Sequence, residues 1–275
     1  MNKRILIIGG IVLAGALIWV VIPKGNRNNE NASSVAAATP TNATVKQLYQ
    51  QAVNMQANGE LLEAKEIYRK IVTDDPDFEN INTVQNELEQ INMRILFSNT
   101  PTPKTVLHEV QSGDTLGKLA KKYGTTVELI KKSNNIQNDV IRVGQKLRVW
   151  TGTFNIFVDK SQNILMLKDG DEVVKVYNVS TGSNNSTPVG QYIITTKLVD
   201  PVWFNKGIVL PPESPQNVLG TRWMGFDLPG YGIHGTIEPD AIGQQVTAGC
   251  VRMRNEEVEE LYSIVPTGTS VVIVD

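Results

Sequence analysis

The stretch TAGCVRMRNEEVEELY, residues 247–262, contains Cys250, which is the only cysteine in the 275-residue chain. A single thiol is most often a buried apolar group, and outside the cytosol it can also form an intermolecular disulfide or react as a nucleophile. Gly249 favours the nucleophile, because a glycine lets the backbone approach a substrate closely. Two successive N–H groups, those of Gly249 and Cys250, would then be free to stabilise an oxyanion.

A cysteine nucleophile profits from a nearby base, since a thiol with a pKa of about 8.5 is only slightly ionised at neutral pH. The chain has two histidines, His108 and His234. His234 lies in GYGIHGTIEP, 16 residues before Cys250 and between Gly232 and Gly235. A lone histidine is more often a core residue, but the pairing with Cys250 in one segment favours His234 as the base. One cysteine and one neighbouring histidine cannot build a zinc site, so we predict no metal and no cofactor.

The segment around both residues, 152–275, has the pattern of a mostly β domain. Short apolar runs predict strands at 154–159, 163–168, 172–180, 190–197 and 269–274, with a hairpin turn at Asp169-Gly170. Residues 198–227 lack this pattern and are predicted to form a long functional loop.

Four motifs of this segment, STPVGQYIITTK, LGTRWMGF, GYGIHGT and TAGCVRMRNEEVEELY, resemble the L,D-transpeptidase catalytic domain family over residues 152–275. The resemblance implies a β-sandwich or flattened barrel with short helices, acting on the peptide stems of peptidoglycan. It also implies these roles: Cys250 as nucleophile, His234 as general base and acid, the Gly235 carbonyl orienting His234, Gly249 as an oxyanion N–H donor, and Arg252 positioning the site or a substrate carboxylate. Many members have Ser-His before the Gly-Cys pair, where this chain has Thr247-Ala248.

The reaction implied by the resemblance is acyl transfer. Cys250 would attack the carbonyl before the terminal D-alanine of a tetrapeptide stem, release D-alanine and keep the acyl group as a thioester. The acceptor stays open: a stem amine makes a cross-link, water makes the chain an L,D-carboxypeptidase, and a lipoprotein lysine is a third acceptor. A non-catalytic wall-binding scaffold is the alternative from another class. The third stem residue, diaminopimelate or lysine, and the oligomeric state also stay open.

A second module precedes the catalytic segment at residues 105–150. A strand at 106–110, a helix capped by Asp114 and ended by Gly124, a second helix with a capping box at Thr125 and Glu128, and a strand at 140–149 give a β-α-α-β order. With SGDTL, LAKKYG and GQKL, this order resembles the lysin-motif (LysM) domain, which implies binding of N-acetylglucosamine-containing glycans. The resemblance places the sugar groove at Gly113, Asp114, Thr115, Asn135 and Ile136.

Residues 45–98 show the spacing of amphipathic helices, interrupted at Gly59 and stopped at Pro76, with a third helix around 84–95. Gly59, Ala64, Tyr68 and Pro76 resemble one tetratricopeptide repeat. The resemblance leaves two interpretations, a spacer of helices or a docking surface for a protein partner. Residues 100–104, TPTPK, are predicted to be a short stiff linker.

The N-terminus carries an uncharged run of 18 residues, Ile5 to Ile22. As a helix it would extend about 27 Å, close to the hydrocarbon core of about 30 Å. It predicts a single-pass membrane anchor at 1–23 rather than a cleaved signal peptide, and the polar residues 24–44 predict a flexible linker. The sequence thus predicts a multi-domain chain of one transmembrane helix, an α-helical hairpin, a βααβ module and a mainly β catalytic domain.

Wall-directed modules behind an anchor imply a bacterial cell envelope protein, with its N-terminus in the cytoplasm and its domains outside the cytoplasmic membrane. The expected partners are peptidoglycan stem peptides and glycan strands, with a role in cell wall biosynthesis and cell shape. Nucleic acid is excluded as a partner, since 26 basic and 28 acidic residues leave a net charge of −2.

Overall fold

The computed structural model describes residues 42–205 and 207–275. The predicted anchor, 1–23, and residues 24–41 of the predicted linker lie outside this range. Within it, no helix combines the length and the apolar character that crossing a bilayer requires. The chain divides into two compact units between Ile91 and Asn92.

The first unit contains the helices α1 (Asn42–Asn58), α2 (Leu61–Asp74) and most of α3 (Ile81–Leu96). Since α1 begins at Asn42, the last three residues of the predicted 24–44 linker are helical. Gly59 follows α1 with a φ of 86°, which residues with a side chain rarely adopt. Tyr49 and Tyr68 pack together with ring centroids 6.2 Å apart. The relation to a tetratricopeptide repeat stays a prediction.

The second unit begins with the end of α3 and continues with the βααβ module: β1 (Thr105–Glu109), α4 (Leu116–Tyr123), α5 (Val127–Ser133) and β2 (Lys146–Trp150). The two strands pair antiparallel. Between them and the helices lies a small core, which includes Leu119, Ile130 and Leu147. The last strand is shorter than predicted, since it begins at Lys146 and not near residue 140.

Both helix starts in this module differ by one residue from the prediction. Thr115 caps α4 instead of Asp114, and Thr126 caps α5 instead of Thr125. Each threonine hydroxyl accepts a hydrogen bond from the N–H three residues further along the chain. The carboxylate of Asp114 is bound elsewhere, because its Oδ2 lies 2.9 Å from Nε2 of His108.

The C-terminal part of the second unit is mainly β. Its elements are β3 (Phe154–Asp159), β4 (Ile164–Asp169), β5 (Glu172–Asn178), β6 (Thr181–Gly182), β7 (Gly190–Val199), β8 (Trp203–Asn205), β9 (Ile208–Leu210), β10 (Arg222–Phe226), β11 (Gly232–His234), β12 (Gln245–Thr247), β13 (Val251–Arg252), α6 (Asn255–Ile264) and β14 (Ser270–Val274). Eight strands form one mixed sheet in the order β13-β11-β10-β7-β14-β3-β4-β5. The pairs β6–β12 and β8–β9 are separate ribbons.

The prediction of one long loop at 198–227 is wrong in part. Strand β7 continues to Val199, and β8, β9 and β10 all lie within this range. Strand β10 is an interior strand, where Trp223 pairs with Leu198 on one side and with His234 on the other. Because these partners are distant in sequence, the strand is stabilised by tertiary pairing that a local pattern cannot reveal.

Candidate active site

The candidate residues meet at one edge of the eight-stranded sheet. Strands β11 and β13 pair in parallel, with Ile233 opposite Val251 and His234 opposite Arg252. Cys250 directly precedes β13. His234 and Arg252 are paired in register, so their side chains lie on the same face of the sheet. The positive charge of Arg252 lowers the pKa of both His234 and Cys250, which agrees with this proximity.

His234 is buried, and its ring is held in one orientation. Nδ1 lies 2.7 Å from the carbonyl oxygen of Gly235. A carbonyl can only accept, so Nδ1 carries the hydrogen and Nε2 keeps its lone pair. The ring also stacks on Trp223, with centroids 5.9 Å apart. The Gly235 carbonyl therefore lies where its predicted orienting role requires it.

Burial decides the charge of the imidazole. It lowers the pKa of His234 to about 4, against the opposing effect of the hydrogen bond to Gly235. At neutral pH the ring is uncharged, with Nε2 free of a proton. It can therefore accept a proton from a neighbouring group.

Cys250 is partly buried, and its Sγ lies 3.5 Å from the carbonyl oxygen of Gly230. Burial raises the pKa of the thiol, while the backbone of Gly232 and the charge of Arg252 lower it by smaller amounts. The resting pair is therefore a neutral thiol and a neutral imidazole.

Gly249 shapes the turn that presents Cys250. Its φ is 133°, and a Cβ at this position would lie 2.8 Å from Cε1 of Tyr231. Its N–H, however, donates to Oγ1 of Thr247 at 3.1 Å, and this hydroxyl donates to the carbonyl of Cys250 at 2.7 Å. The predicted free N–H of Gly249 is thus engaged inside the turn, because the Thr247 side chain folds back onto its own backbone. This corrects the oxyanion role of Gly249 to a conformational one.

Arg252 is fixed from two directions. Its backbone N–H and carbonyl both bond to Ser180, at 2.8 Å each, and Nη1 lies 2.8 Å from Oε2 of Glu238. Its buried Nε has no hydrogen-bond partner within the part of the chain that the structure describes. The Nε–H is thus a buried donor without an acceptor among the described residues.

Asn255, the first residue of α6, is a positioning residue that the sequence did not reveal. Its Oδ1 accepts from the N–H groups of Thr221 at 3.3 Å and Thr236 at 3.0 Å, and its Nδ2 donates to the Thr236 carbonyl at 2.8 Å. A Cβ on Gly235 would collide with the same Oδ1. Asn255 therefore fixes the backbone whose carbonyl orients His234. The available signal was an asparagine at a helix start close behind Cys250.

The five predicted glycan residues lie in two loops of the βααβ module. Gly113, Asp114 and Thr115 lie between β1 and α4, while Asn135 and Ile136 follow α5. Thr115 caps a helix, and Ile136 packs against the module's core. The structure thus gives two of the five a structural role.

The remaining loop contacts are polar. Asp114 belongs to a cluster in which Nδ1 of His108 lies 2.9 Å from the Tyr123 hydroxyl. Asn135 lines a cleft of about 270 Å³. The other lining residues of that cleft are Asn99, Leu107, Asn134, Gln145, Lys146, Leu147 and Arg148. In the described ranges, no three His, Cys, Asp or Glu side chains are grouped as metal ligands.

Comparison with known proteins identifies two domains of the chain. The family model of the L,D-transpeptidase catalytic domain matches residues 153–273, and that of the LysM domain matches residues 108–150. The L,D-transpeptidase family protein YqjB of Bacillus subtilis strain 168 is 40% identical over 126 residues, which cover 44% of this chain and 70% of that protein. The chain belongs to the L,D-transpeptidase family.

Two further L,D-transpeptidase family proteins match over most of their own length. YkuD of Bacillus licheniformis is 30% identical over 176 residues, which cover 61% of this chain and 98% of that protein. YkuD of Bacillus subtilis is 30% identical over 173 residues, which cover 60% of this chain and 97% of that protein. The predicted catalytic domain and LysM domain are thereby confirmed.

Proposed function

We propose that this L,D-transpeptidase family member acts on peptidoglycan through a thioester on Cys250. The donor is a tetrapeptide stem, whose bond before the terminal D-alanine is cleaved, and the acceptor is an amine. The observation that carries the proposal is the neutral His234, held by the Gly235 carbonyl at the sheet edge that also presents Cys250. A buried structural cysteine would need neither this base nor the constrained turn at Gly249.

In the acylation step, Nε2 of His234 accepts the thiol proton while sulfur attacks the stem carbonyl. Proton transfer accompanies the attack, because the resting thiol is neutral. The tetrahedral oxyanion is stabilised by the Cys250 N–H and by the positive charge of Arg252. The imidazolium then gives its proton to the departing amine of D-alanine, and the stem remains on sulfur as a thioester.

In the second step an acceptor amine attacks the thioester. His234 takes a proton from the attacking amine and returns it to the sulfur, which leaves as a thiol. The products are one new amide and the free enzyme. The Nδ1 hydrogen bond to Gly235 persists through both steps, so the ring keeps the same tautomer at rest.

The proposal extends to the modules outside the catalytic domain. We propose that the LysM domain binds glycan strands, supported by the polar cleft beside Asn135. We also propose that residues 1–23 anchor the chain in a bacterial cytoplasmic membrane, supported by the uncharged run of 18 residues. The domains then face the cell wall, and the helical segment serves as a spacer or as a docking surface.

The decisive experiment exposes the full chain to a disaccharide-tetrapeptide and measures its intact mass. We expect a tripeptide-stem adduct on the wild-type chain and none on Cys250→Ala. Product analysis should show cross-linked dimers and D-alanine. Tripeptide without dimers would replace the transpeptidase with an L,D-carboxypeptidase, and the absence of any adduct would overturn the cysteine mechanism.

A further inference from the structure

The LysM domain and the catalytic domain, both in the second unit, share packed side chains along helix α5. Leu129 is 1% exposed and belongs to the core of the catalytic domain, together with Leu261 and Ile264 of α6. The next residue, Ile130, belongs to the core of the LysM domain. Helix α5 thus contributes to two hydrophobic cores at once.

Polar contacts fix the same two helices in orientation. The hydroxyl of Thr126 donates to the Ser263 carbonyl, and Nζ of Lys132 lies 2.9 Å from Oγ of Ser263. Thr126 and Ser263 are both buried. The cap of α5 and its last turn therefore both contact Ser263 of α6.

The covalent junction between the domains is also immobilised. Residues 151–153 alone separate β2 from β3, and the rings of Trp150 and Phe154 stack with centroids 6.0 Å apart. A Cβ on Gly152 would lie 2.5 Å from Oδ1 of Asp169 and 2.6 Å from Nε1 of Trp150. On the other side of the LysM domain, Nζ of Lys104 lies 2.7 Å from Oδ2 of the buried Asp169. The chain segments before and after the LysM domain therefore both pack against Asp169.

Helix α6 connects this interface with the active site. Its first residue, Asn255, holds the backbone beside His234, and Ser263 near its end holds α5. Eight residues of helix rise about 12 Å. Helix α5 in turn ends at Ser133, two residues before Asn135 of the predicted sugar groove.

We propose that the docked LysM domain holds a glycan strand at one distance and orientation from Cys250. The preferred donor is then a stem peptide still attached to polymeric glycan, rather than a free muropeptide. A flexible tether would only raise the local concentration of substrate, whereas a fixed one also orients it. This inference rests on the proposed function, since it requires both turnover at Cys250 and glycan binding.

The test releases the domain without unfolding it. The released variant combines Leu129→Gln with ten Gly and Ser residues inserted after Gly152. The substitution removes the packing of Leu129 in the core of the catalytic domain, and the insertion lengthens the linker between the two domains. Ile130 is unchanged, so the core of the LysM domain is kept. The controls are the insertion alone and Lys121→Gln, since Lys121 is exposed on α4. Hydrogen exchange of the full chain verifies release through faster exchange in α5 and α6.

Three quantities are compared: co-sedimentation with insoluble peptidoglycan, turnover of soluble disaccharide-tetrapeptide, and turnover of intact sacculi. For the released variant we expect the first two to stay within about twofold of wild type, and sacculus turnover to fall about tenfold or more. The controls should retain all three. If the released variant loses soluble turnover, Leu129→Ala with the same insertion replaces it, and the same fall on sacculi is expected.

Unchanged sacculus turnover in a variant whose α5 and α6 exchange faster would overturn the inference. Unchanged exchange would also overturn it, because the interface would then not depend on Leu129. If the wild-type chain processes neither substrate, the proposed function is wrong, and the inferred preference for glycan-attached donors is wrong with it. The two failures are therefore distinguishable.

Discussion

The neutrality of His234 predicts a specific loss of stability in acid. The pKa of its imidazole falls from the ordinary 6.5 to about 4 on burial. Between these values the unfolded chain binds a proton that the folded chain does not, so the stability from this group is complete above pH 6.5 and is lost as pH falls towards 4. A difference of one unit between the pKa values of the folded and the unfolded chain changes the free energy of unfolding by about 1.4 kcal/mol. The loss is therefore about 3 kcal/mol below pH 4, and between about 2 and 3 kcal/mol at pH 4.5.

Urea unfolding at pH 7.5 and pH 4.5, followed by tryptophan fluorescence, measures this loss. The carboxylates are the same in the wild-type chain and in His234→Gln. Any difference between the two proteins in how the free energy of unfolding changes with pH therefore comes from the imidazole. We expect the free energy of unfolding of the wild type to drop by about 2 kcal/mol more than that of the variant. Lys121→Gln, a change at an exposed position of α4, serves as the control and should follow the wild type. Equal drops in wild type and His234→Gln would refute the assignment of a buried neutral ring.

Three further predictions concern the surroundings of the same pair. Gly249→Ala should lower the free energy of unfolding by about 2 kcal/mol or more, because φ is 133° and the new Cβ meets an aromatic ring; denaturation at pH 7.5 measures it, and an unchanged midpoint would contradict the turn geometry. Asn255→Ala should slow acylation of Cys250 by about tenfold or more, since two hydrogen bonds to Thr236 beside His234 and one to Thr221 are lost; stopped-flow mass analysis measures the acylation rate, and a change in donor binding alone would exclude the positioning role. Arg252→Gln should raise the pKa of both His234 and Cys250, because the arginine charge lowers both. NMR titration of the imidazole and the pH profile of thiol alkylation measure the two pKa values, and a decrease in either would contradict the prediction.

The sequence predicted the parts of the site that depend on local chemistry. Cys250 and His234 were selected because each stands beside glycines in a short motif. The strands predicted at 154–159 and 163–168 lie at 154–159 and 164–169, because short apolar runs are a local signal. The parts that depend on distant partners were missed. Strand β10 exists through its pairing with β7 and β11, and Asn255 acts on backbone groups 19 and 34 residues away.

Helix caps and the oxyanion donor show a second limit. Adjacent candidates such as Asp114 and Thr115 both suit a helix start, and the choice depends on which side chain has a competing partner. Asp114 has one in His108, so the cap passes to Thr115. In the same way the N–H of Gly249 was expected to be free, but the Thr247 hydroxyl lies close enough to accept from it. Local pattern therefore identifies the turn, while the tertiary contacts decide which group in it remains available.

The pKa values of the site explain how a lone thiol suits the envelope location that we propose. The thiolate is the form that oxidants attack, so a cysteine with a lowered pKa is exposed to oxidation wherever the surroundings are oxidising. Burial raises the pKa of Cys250 and keeps it protonated at rest. The consequence is that sulfur needs a base at the moment of attack, and a base works only if it is unprotonated at that pH. The same burial lowers the pKa of His234 to about 4 and so supplies that base. In the mechanism that we propose, burial thus has two effects: it keeps the thiol protonated at rest and it keeps the imidazole ready to accept the thiol proton.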